Sequence, residues 1–222
     1  MLVIDRSLRR LHAGGHVYDA PSRRWIAGPS ATTGEPVGAV EAIAFLQRDG
    51  GRPFRAPIGV IGPNEATPIQ ESTAEQVGAL IGQLGLAVLC GGRQGVMRGA
   101  AKGAASVGGL AVGLLPDSDP DHANPFVTVA IASNLGEARN AIIAQASHCL
   151  IAIGDSHGTL SEVALGLRLG KTVFGLAGAA TLAEVRQMRD VAELEDALAA
   201  LLLRLPAAGD MENNEQRNNL PI

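Results

Sequence analysis

The sequence predicts an α/β protein whose doubly wound, mostly parallel sheet carries helices on both faces, with a small β unit before it. Two observations support this prediction. From residue 57 onward, short apolar segments alternate regularly with segments of helical periodicity. The apolar segments are continuous runs, and such runs are typical of strands buried on both faces of a parallel sheet.

The composition indicates a globular protein with a core of small aliphatic side chains. Of 222 residues, 46% are hydrophobic, only 3% are aromatic and 28 are glycine. The net charge of -4 provides no general attraction to nucleic acid or to anionic membranes, so we expect neither as a partner. The N-terminal segment is charged from residue 5 and no apolar stretch could span a bilayer, so a cytoplasmic protein is expected.

The two cysteines predict no metal site. Cys90 and Cys149 both lie in apolar segments that are typical of strands, and their spacing is not that of metal ligands. We therefore interpret them as buried thiols in a reducing compartment.

The pattern along the chain predicts three regions. Two β-hairpins and a short helix are predicted for residues 1–56, and the parallel-sheet domain for residues 57–206. The polar composition of residues 207–222 predicts a disordered tail. In the second region the predicted strands are 58–62, 86–91, 110–115, 126–132, 149–154 and 172–178, and the predicted helices are 72–85, 95–107, 135–147, 158–169 and 191–205. Ser72 or Thr73 is the predicted cap of the first of these helices.

Doubly wound sheets bind ligands at the carboxyl ends of their strands, so the strand-to-helix turns are the candidate sites. The first two turns are rich in glycine, and they contribute the candidate ligand-binding residues Gly62, Asn64, Gly91, Gly92, Arg93, Gly95, Val96 and Met97. Glycines let a backbone approach a phosphate at a helix N-terminus. They equally suit tight packing between helix and strand, and a lone Gly-Gly-x-x-Gly favours that second interpretation.

The next two turns carry charged residues. Arg139 and Asn140 lie near the start of a predicted helix, where a cation is mildly unfavourable unless it meets an anion. Glu162 lies near the start of the next helix, either as a capping carboxylate or as a group that points into the cleft. This turn also contributes the candidate ligand-binding residues Gly154, Ser156, His157, Gly158 and Thr159.

Three segments resemble, in order and spacing, those of a Rossmann-like superfamily: CGGRQGVMRGAAKGA, GEARNAIIAQASHCLIAIG and GTLSEVALGLRLGKTVFGL. This superfamily includes the LOG-type phosphoribohydrolases, the molybdenum cofactor carrier proteins and, more distantly, the DNA-processing protein A fold. The resemblance covers residues 57–178, about half of the chain. It implies a Rossmann-like fold and a homodimer or higher homo-oligomer.

The resemblance also implies roles for particular residues. LOG-type enzymes carry an Arg-Lys pair on one helix and Pro-Gly-Gly-x-Gly-Thr-x-x-Glu at the next strand end. Arg139 matches the arginine, but Asn140 replaces the lysine. Gly158, Thr159 and Glu162 match the second motif, which makes Arg139 and Glu162 the candidate catalytic residues.

The turn before Gly158 departs from the enzyme motif. Gly154, Asp155 and Ser156 stand where the LOG-type enzymes have Pro-Gly-Gly. Together with Asn140, this turn is more similar to the carrier-protein branch, whose members bind a phosphorylated pterin cofactor without turning it over.

Three functional hypotheses follow. The first is binding of a phosphorylated nucleotide-like or pterin-like ligand, with the molybdenum cofactor or a nucleoside monophosphate as the bound molecule. The alternative is hydrolysis of the N-glycosidic bond of a nucleoside 5′-monophosphate, which releases free base and ribose 5-phosphate. A nucleic-acid module is disfavoured by the acidic balance and by the few aromatic residues.

Overall fold

The computed structural model describes residues 1–30 and 34–204. The predicted disordered tail, residues 207–222, lies outside this part of the chain. Contacts divide the chain into two compact units, residues 1–52 together with the chain from residue 195, and residues 53–194. The predicted domain boundaries stay a prediction; the contact-based division differs from them by grouping the second half of the last helix with the N-terminal unit.

The first unit contains a five-stranded antiparallel sheet in the order β4-β3-β2-β1-β5. Its strands are β1 (Leu2–Asp5), β2 (Arg10–Ala13), β3 (His16–Asp19), β4 (Arg24–Ala27) and β5 (Glu35–Val37), followed by helix α1 (Ala39–Arg48). Both predicted hairpins, β1 with β2 and β3 with β4, are present. The fifth strand was missed because its three residues include Pro36, which the sequence pattern assigned to a loop.

The second unit is built on a parallel sheet of seven strands in the order β12-β11-β10-β6-β7-β8-β9. The strands are β6 (Ile58–Ile61), β7 (Ala87–Cys90), β8 (Leu110–Leu115), β9 (Val129–Ala132), β10 (Leu150–Ile153), β11 (Val173–Leu176) and β12 (Val185–Gln187). The helices are α2 (Pro68–Gln83), α3 (Val96–Ser106), α4 (Arg139–Ala146), α5 (His157–Arg168) and α6 (Val191–Leu203), the last of which crosses the boundary between the units. The predicted Rossmann-like α/β fold is confirmed.

The order of the strands places a crevice between β6 and β10. The chain runs from β6 outward through β7 and β8 to β9, then returns to β10 on the other side of β6 and continues outward to β12. At such a reversal, the loops that leave the two neighbouring strands diverge and open a ligand-binding crevice at the strand carboxyl ends.

Helix α2 begins earlier than the sequence predicted. Its N-cap is Thr67, whose side chain accepts a hydrogen bond from the Gln70 amide while the Gln70 side chain accepts one from the Thr67 amide. Pro68 follows at the first helical position, which its fixed φ favours. Ser72 and Thr73 therefore lie inside the helix, and the predicted cap at these residues was wrong.

Helices α2 and α3 pack closely because glycines face each other's backbone. A Cβ atom at Gly78 would overlap the carbonyl oxygen of Ala100, and one at Gly103 would overlap the carbonyl oxygen of Glu75. Backbone atoms cannot move aside as a flexible side chain can, so these positions require glycine. None of the described helices is long and apolar enough to cross a membrane.

The first test concerns this helix pair. We expect Gly78→Ala to lower the free energy of unfolding by about 2 kcal/mol or more, since the helices must separate to admit one methyl group. Gly158→Ala is the control, because a Cβ there meets only Ser156 Oγ, at 3.8 Å. Chemical denaturation measures both variants, and equal stabilities would contradict the packing argument.

Candidate functional site

A cavity of about 220 Å³ lies at the carboxyl ends of the strands, where β6 and β10 diverge. It is lined by residues from the turns after β6, β7 and β10 and from the region where α4 begins. These residues are Ile61, Gly62, Asn64, Gly91, Arg93, Met97, Glu137, Arg139, Asn140, Ser156, Gly158, Thr159 and Glu162.

Arg139 and Glu162 form a buried ion pair in this cavity. Arg139 is the first residue of α4 and Glu162 lies in the second turn of α5, and their side chains are each 8% exposed. The distance from Arg139 Nη1 to Glu162 Oε1 is 3.7 Å, which is an ionic contact but too long for a good hydrogen bond. Because the N-cap of α5 is Ser156 and Glu162 lies in the second turn, the interpretation of Glu162 as a capping carboxylate is wrong.

The Arg139 guanidinium fits between Gly91 and Asn140. It donates from Nη1 to the Asn140 side-chain oxygen, and a Cβ at Gly91 would lie 2.7 Å from Nη2. Gly91 therefore leaves the room that the guanidinium occupies. Arg139 Nε is buried without a hydrogen-bond partner among the described residues, which is an unusual and costly state for a charged donor.

Burial raises the pKa of Glu162 from its ordinary value of 4.5 to about 7. Desolvation of the carboxylate is the main cause; the nearby Glu137 carboxylate raises the pKa further, and the Arg139 guanidinium partly offsets both effects. A carboxyl group with this pKa exchanges a proton near neutral pH, which suits either a general acid–base group or a site that accommodates anions.

Asn140 connects the ion pair to the start of α5. Its amide nitrogen donates to Ser161 Oγ at 3.0 Å and to Glu137 Oε2 at 3.4 Å, while its oxygen faces Arg139. The LOG-type motif has a lysine at this position. Asn140 is neutral and 4% exposed, so it orients its neighbours without adding a second buried cation.

Helix α5 directs its N-terminus into the cavity. The helix begins at His157, and its N-cap Ser156 accepts a hydrogen bond from the Thr159 amide at 3.1 Å. The amides of the first helical residues have no partner inside a helix, and the helix dipole is positive at this end. Gly158, which lines the cavity, therefore offers an amide donor suited to an anion.

At the N-terminus of α3 and in the turn before it, two amides already have partners within the protein. The Val96 amide donates to the Pro63 carbonyl at 3.2 Å, and the Gln94 amide donates to Asn64 Oδ1 at 3.1 Å. A Cβ at Gly95 would overlap the Pro63 carbonyl oxygen. The glycines of this turn thus serve mainly for close packing, in agreement with the structural interpretation of the Gly-Gly-x-x-Gly pattern.

The cavity gathers eleven of the sixteen predicted site residues, namely Gly62, Asn64, Gly91, Arg93, Met97, Arg139, Asn140, Ser156, Gly158, Thr159 and Glu162. Five do not line it, namely Gly92, Gly95, Val96, Gly154 and His157. His157 instead borders a neighbouring shallow groove that also includes Glu137. The roles of the eleven in ligand binding stay predictions.

Sequence reasoning missed Ile61 and Glu137. Ile61 ends β6 and reaches the cavity only because that strand is central in the sheet. Glu137 was not among the predicted site residues, although its position two residues before Arg139 could have marked it as a neighbour of the site.

The two thiols do not contribute a nucleophile. Cys90 and Cys149 are both fully buried, and burial raises the pKa of the Cys90 thiol to about 11 and that of the Cys149 thiol to about 12. Both remain protonated near neutral pH, and the thiol form is unreactive. This agrees with their interpretation as buried core thiols.

The model of the SLOG cluster4 family matches residues 55–201. The chain belongs to the SLOG cluster4 family. It is also 44% identical over 119 residues to an uncharacterized protein of Archaeoglobus fulgidus, in a match that spans 54% of this chain and 78% of that protein. The resemblance to the superfamily that includes LOG-type enzymes and cofactor carriers is confirmed.

Solved structures with the same fold include two cofactor-binding proteins. The molybdenum cofactor binding protein of Rippkaea orientalis is 36% identical with a TM-score of 0.64, and the similarity covers 67% of this chain and 99% of that one. The molybdenum cofactor carrier protein of Chlamydomonas reinhardtii is 35% identical with a TM-score of 0.61 and the same coverage. DNA processing protein A of Streptococcus pneumoniae, 16% identical with a TM-score of 0.51, shares the fold alone.

The second test uses the pKa of Glu162. Between pH 4.5 and about 7 the folded protein holds a proton at Glu162 that the unfolded chain has lost, so the free energy of unfolding falls as the pH rises through this interval. We expect the wild type to lose about 2–3 kcal/mol relative to Glu162→Gln between pH 5 and pH 8.

Chemical denaturation at the two pH values measures this difference. Gln has the size of Glu but does not titrate. The variant keeps every other titrating group, so the difference between the two pH profiles reports Glu162 alone. Parallel pH profiles for the wild type and the variant would show that Glu162 keeps an ordinary pKa.

Proposed function

We propose that this protein binds a phosphorylated nucleotide-like or pterin-like ligand in the cavity between β6 and β10. The observation that carries the proposal is the buried Arg139, whose Nε lacks a partner among the described residues and which lines the same cavity as Gly158 at the α5 N-terminus. An anionic group placed there would accept hydrogen bonds from Arg139 and from the α5 N-terminus. Exclusion of water at this point strengthens each interaction.

The molybdenum cofactor is the ligand favoured by the similar proteins. Two relatives with the same fold, at 35% and 36% identity, are named for binding or carrying it. The residues fit a phosphorylated molecule, since Gly158, Thr159 and Arg139 would hold the phosphate. The neutral Asn140 and the Asp155-Ser156 turn are more similar to the carrier-protein branch than to the LOG-type enzymes.

Hydrolysis of a nucleoside 5′-monophosphate is the second candidate function. It is favoured by the presence of Arg139 and Glu162 in one cavity and by the raised pKa of Glu162. In this role Glu162 would position water and stabilise the positive charge that develops on the sugar, while Arg139 would orient the nucleotide. The two functions use the same cavity. They differ in whether the ligand is released unchanged or is hydrolysed at its N-glycosidic bond.

The third test measures binding. We expect a nucleoside 5′-monophosphate or molybdopterin to raise the melting temperature of the wild type by about 5 °C at saturation, because a ligand that binds only the folded state stabilises it. The double variant Arg139→Met/Glu162→Gln should lose this shift. It removes both charges together and so avoids a buried unpaired carboxylate.

Arg168→Met is the matched control, because Arg168 is an exposed arginine at the other end of α5. It should retain the full shift. A ligand that stabilises the double variant as strongly as the wild type would contradict the assignment of the site.

The fourth test separates a carrier from an enzyme. The wild type and Glu162→Gln are incubated with a panel of nucleoside 5′-monophosphates, and chromatography follows free base and ribose 5-phosphate. For a carrier, we expect no release by a protein that the same ligands stabilise. Release by the wild type with at least a hundredfold loss in Glu162→Gln would instead establish the hydrolase.

A further inference from the structure

Arg93 is a second cation at the cavity, on the side opposite the α5 N-terminus. It follows β7, whereas α5 follows β10, and the central strand β6 lies between those two strands. The Arg139 guanidinium lies against Gly91, directly after β7, so both arginines border the crevice on the β7 side, and the α5 N-terminus lies on the β10 side. Arg93 therefore extends the cationic lining of the cavity beyond Arg139.

The backbone around Arg93 is fixed by two asparagines. Asn124, which is 2% exposed, donates from its side chain to the Gly92 carbonyl at 3.1 Å and to the Arg93 carbonyl at 2.8 Å. On the other side, Asn64 accepts from the Gln94 amide. A buried amide whose donors are both used on one turn holds that turn in place, so Arg93 extends from a rigid base.

The Arg93 side chain has only a weak partner. Its Nη1 lies 3.4 Å from Asp117 Oδ2, and the two side chains are 46% and 35% exposed. His122 Nδ1 lies 3.3 Å from the same oxygen, so Asp117 is shared between two groups. An exposed pair of this kind contributes at most about 1 kcal/mol, and a phosphate readily displaces it.

We propose that the ligand carries a second anionic group and that Arg93 binds it, so that Arg93 selects doubly anionic ligands over singly phosphorylated ones. This inference rests on the proposed function and defines its ligand class more closely. The second group is either adjacent to the first, as in a nucleoside 5′-diphosphate, or on the far side of the sugar, as in a 3′,5′-bisphosphate. Arg93 would serve either arrangement.

The experiment compares three probes by isothermal titration calorimetry: adenosine 5′-monophosphate, adenosine 5′-diphosphate and adenosine 3′,5′-bisphosphate. We expect one doubly phosphorylated probe to bind the wild type about five- to tenfold more tightly than the monophosphate. Arg93→Gln should reduce this ratio to about one, because it weakens binding of the doubly phosphorylated probe more than binding of the monophosphate. Arg93→Lys, which keeps the charge, should retain most of the preference.

Arg98→Gln is the matched control. Arg98 is an exposed arginine on α3 that does not line the cavity and lies over the Phe126 ring, so it tests the loss of one positive charge elsewhere. It should keep the wild-type ratio. For the wild type, the ratio should also shrink at high salt, because a half-exposed charge is screened.

Two outcomes would overturn the inference: equal affinity of the wild type for all three probes, or an unchanged ratio in Arg93→Gln. In both outcomes the protein still binds a ligand through one phosphate, so the proposed function is not contradicted. Failure of every probe to bind the wild type would instead contradict the nucleotide form of the proposed function, and the inference with it.

Discussion

The buried ion pair between Arg139 and Glu162 is the interaction on which the candidate site depends. Both charges are almost wholly removed from water, yet the distance between them is 3.7 Å, and Arg139 Nε has no partner in the part of the chain that the structure describes. Such a pair compensates its desolvation incompletely, so the free energy of the site remains sensitive to any anion or proton that enters. The same incompleteness explains why the pKa of Glu162 lies near neutral pH.

The sheet topology makes this pair possible. Arg139 begins α4 and Glu162 lies in the second turn of α5, the next helix; they come together because β10 returns to the centre of the sheet beside β6. The N-termini of α3, α4 and α5 border the same crevice, and Gly158 at the start of α5 lines it. At the α3 N-terminus the Val96 amide already donates to the Pro63 carbonyl, which supports the α5 side for the proposed anion site.

Carrier and hydrolase would share this geometry, and the difference between them is chemical. A hydrolase requires Glu162 ionised beside the sugar in the transition state, whereas a carrier requires a cavity that accepts an anion and leaves it unchanged. With Asn140 in place of a lysine, Arg139 is the cation in the described part of the chain that stabilises the Glu162 carboxylate. This electrostatic balance supports the binding function as the first proposal.

The sequence by itself determined the parallel fold and both N-terminal hairpins, and it singled out Arg139 and Glu162 as candidate site residues. It could do so because apolar runs, glycine turns and a charged motif are local patterns. It could not determine which glycines line the cavity. Gly91 makes room for a guanidinium from another helix, whereas Gly95 packs against the Pro63 carbonyl, and both lie in one short turn. Only the tertiary structure decided this, since burial, the pKa of Glu162 and the side of the crevice that Arg93 occupies all depend on groups distant in sequence.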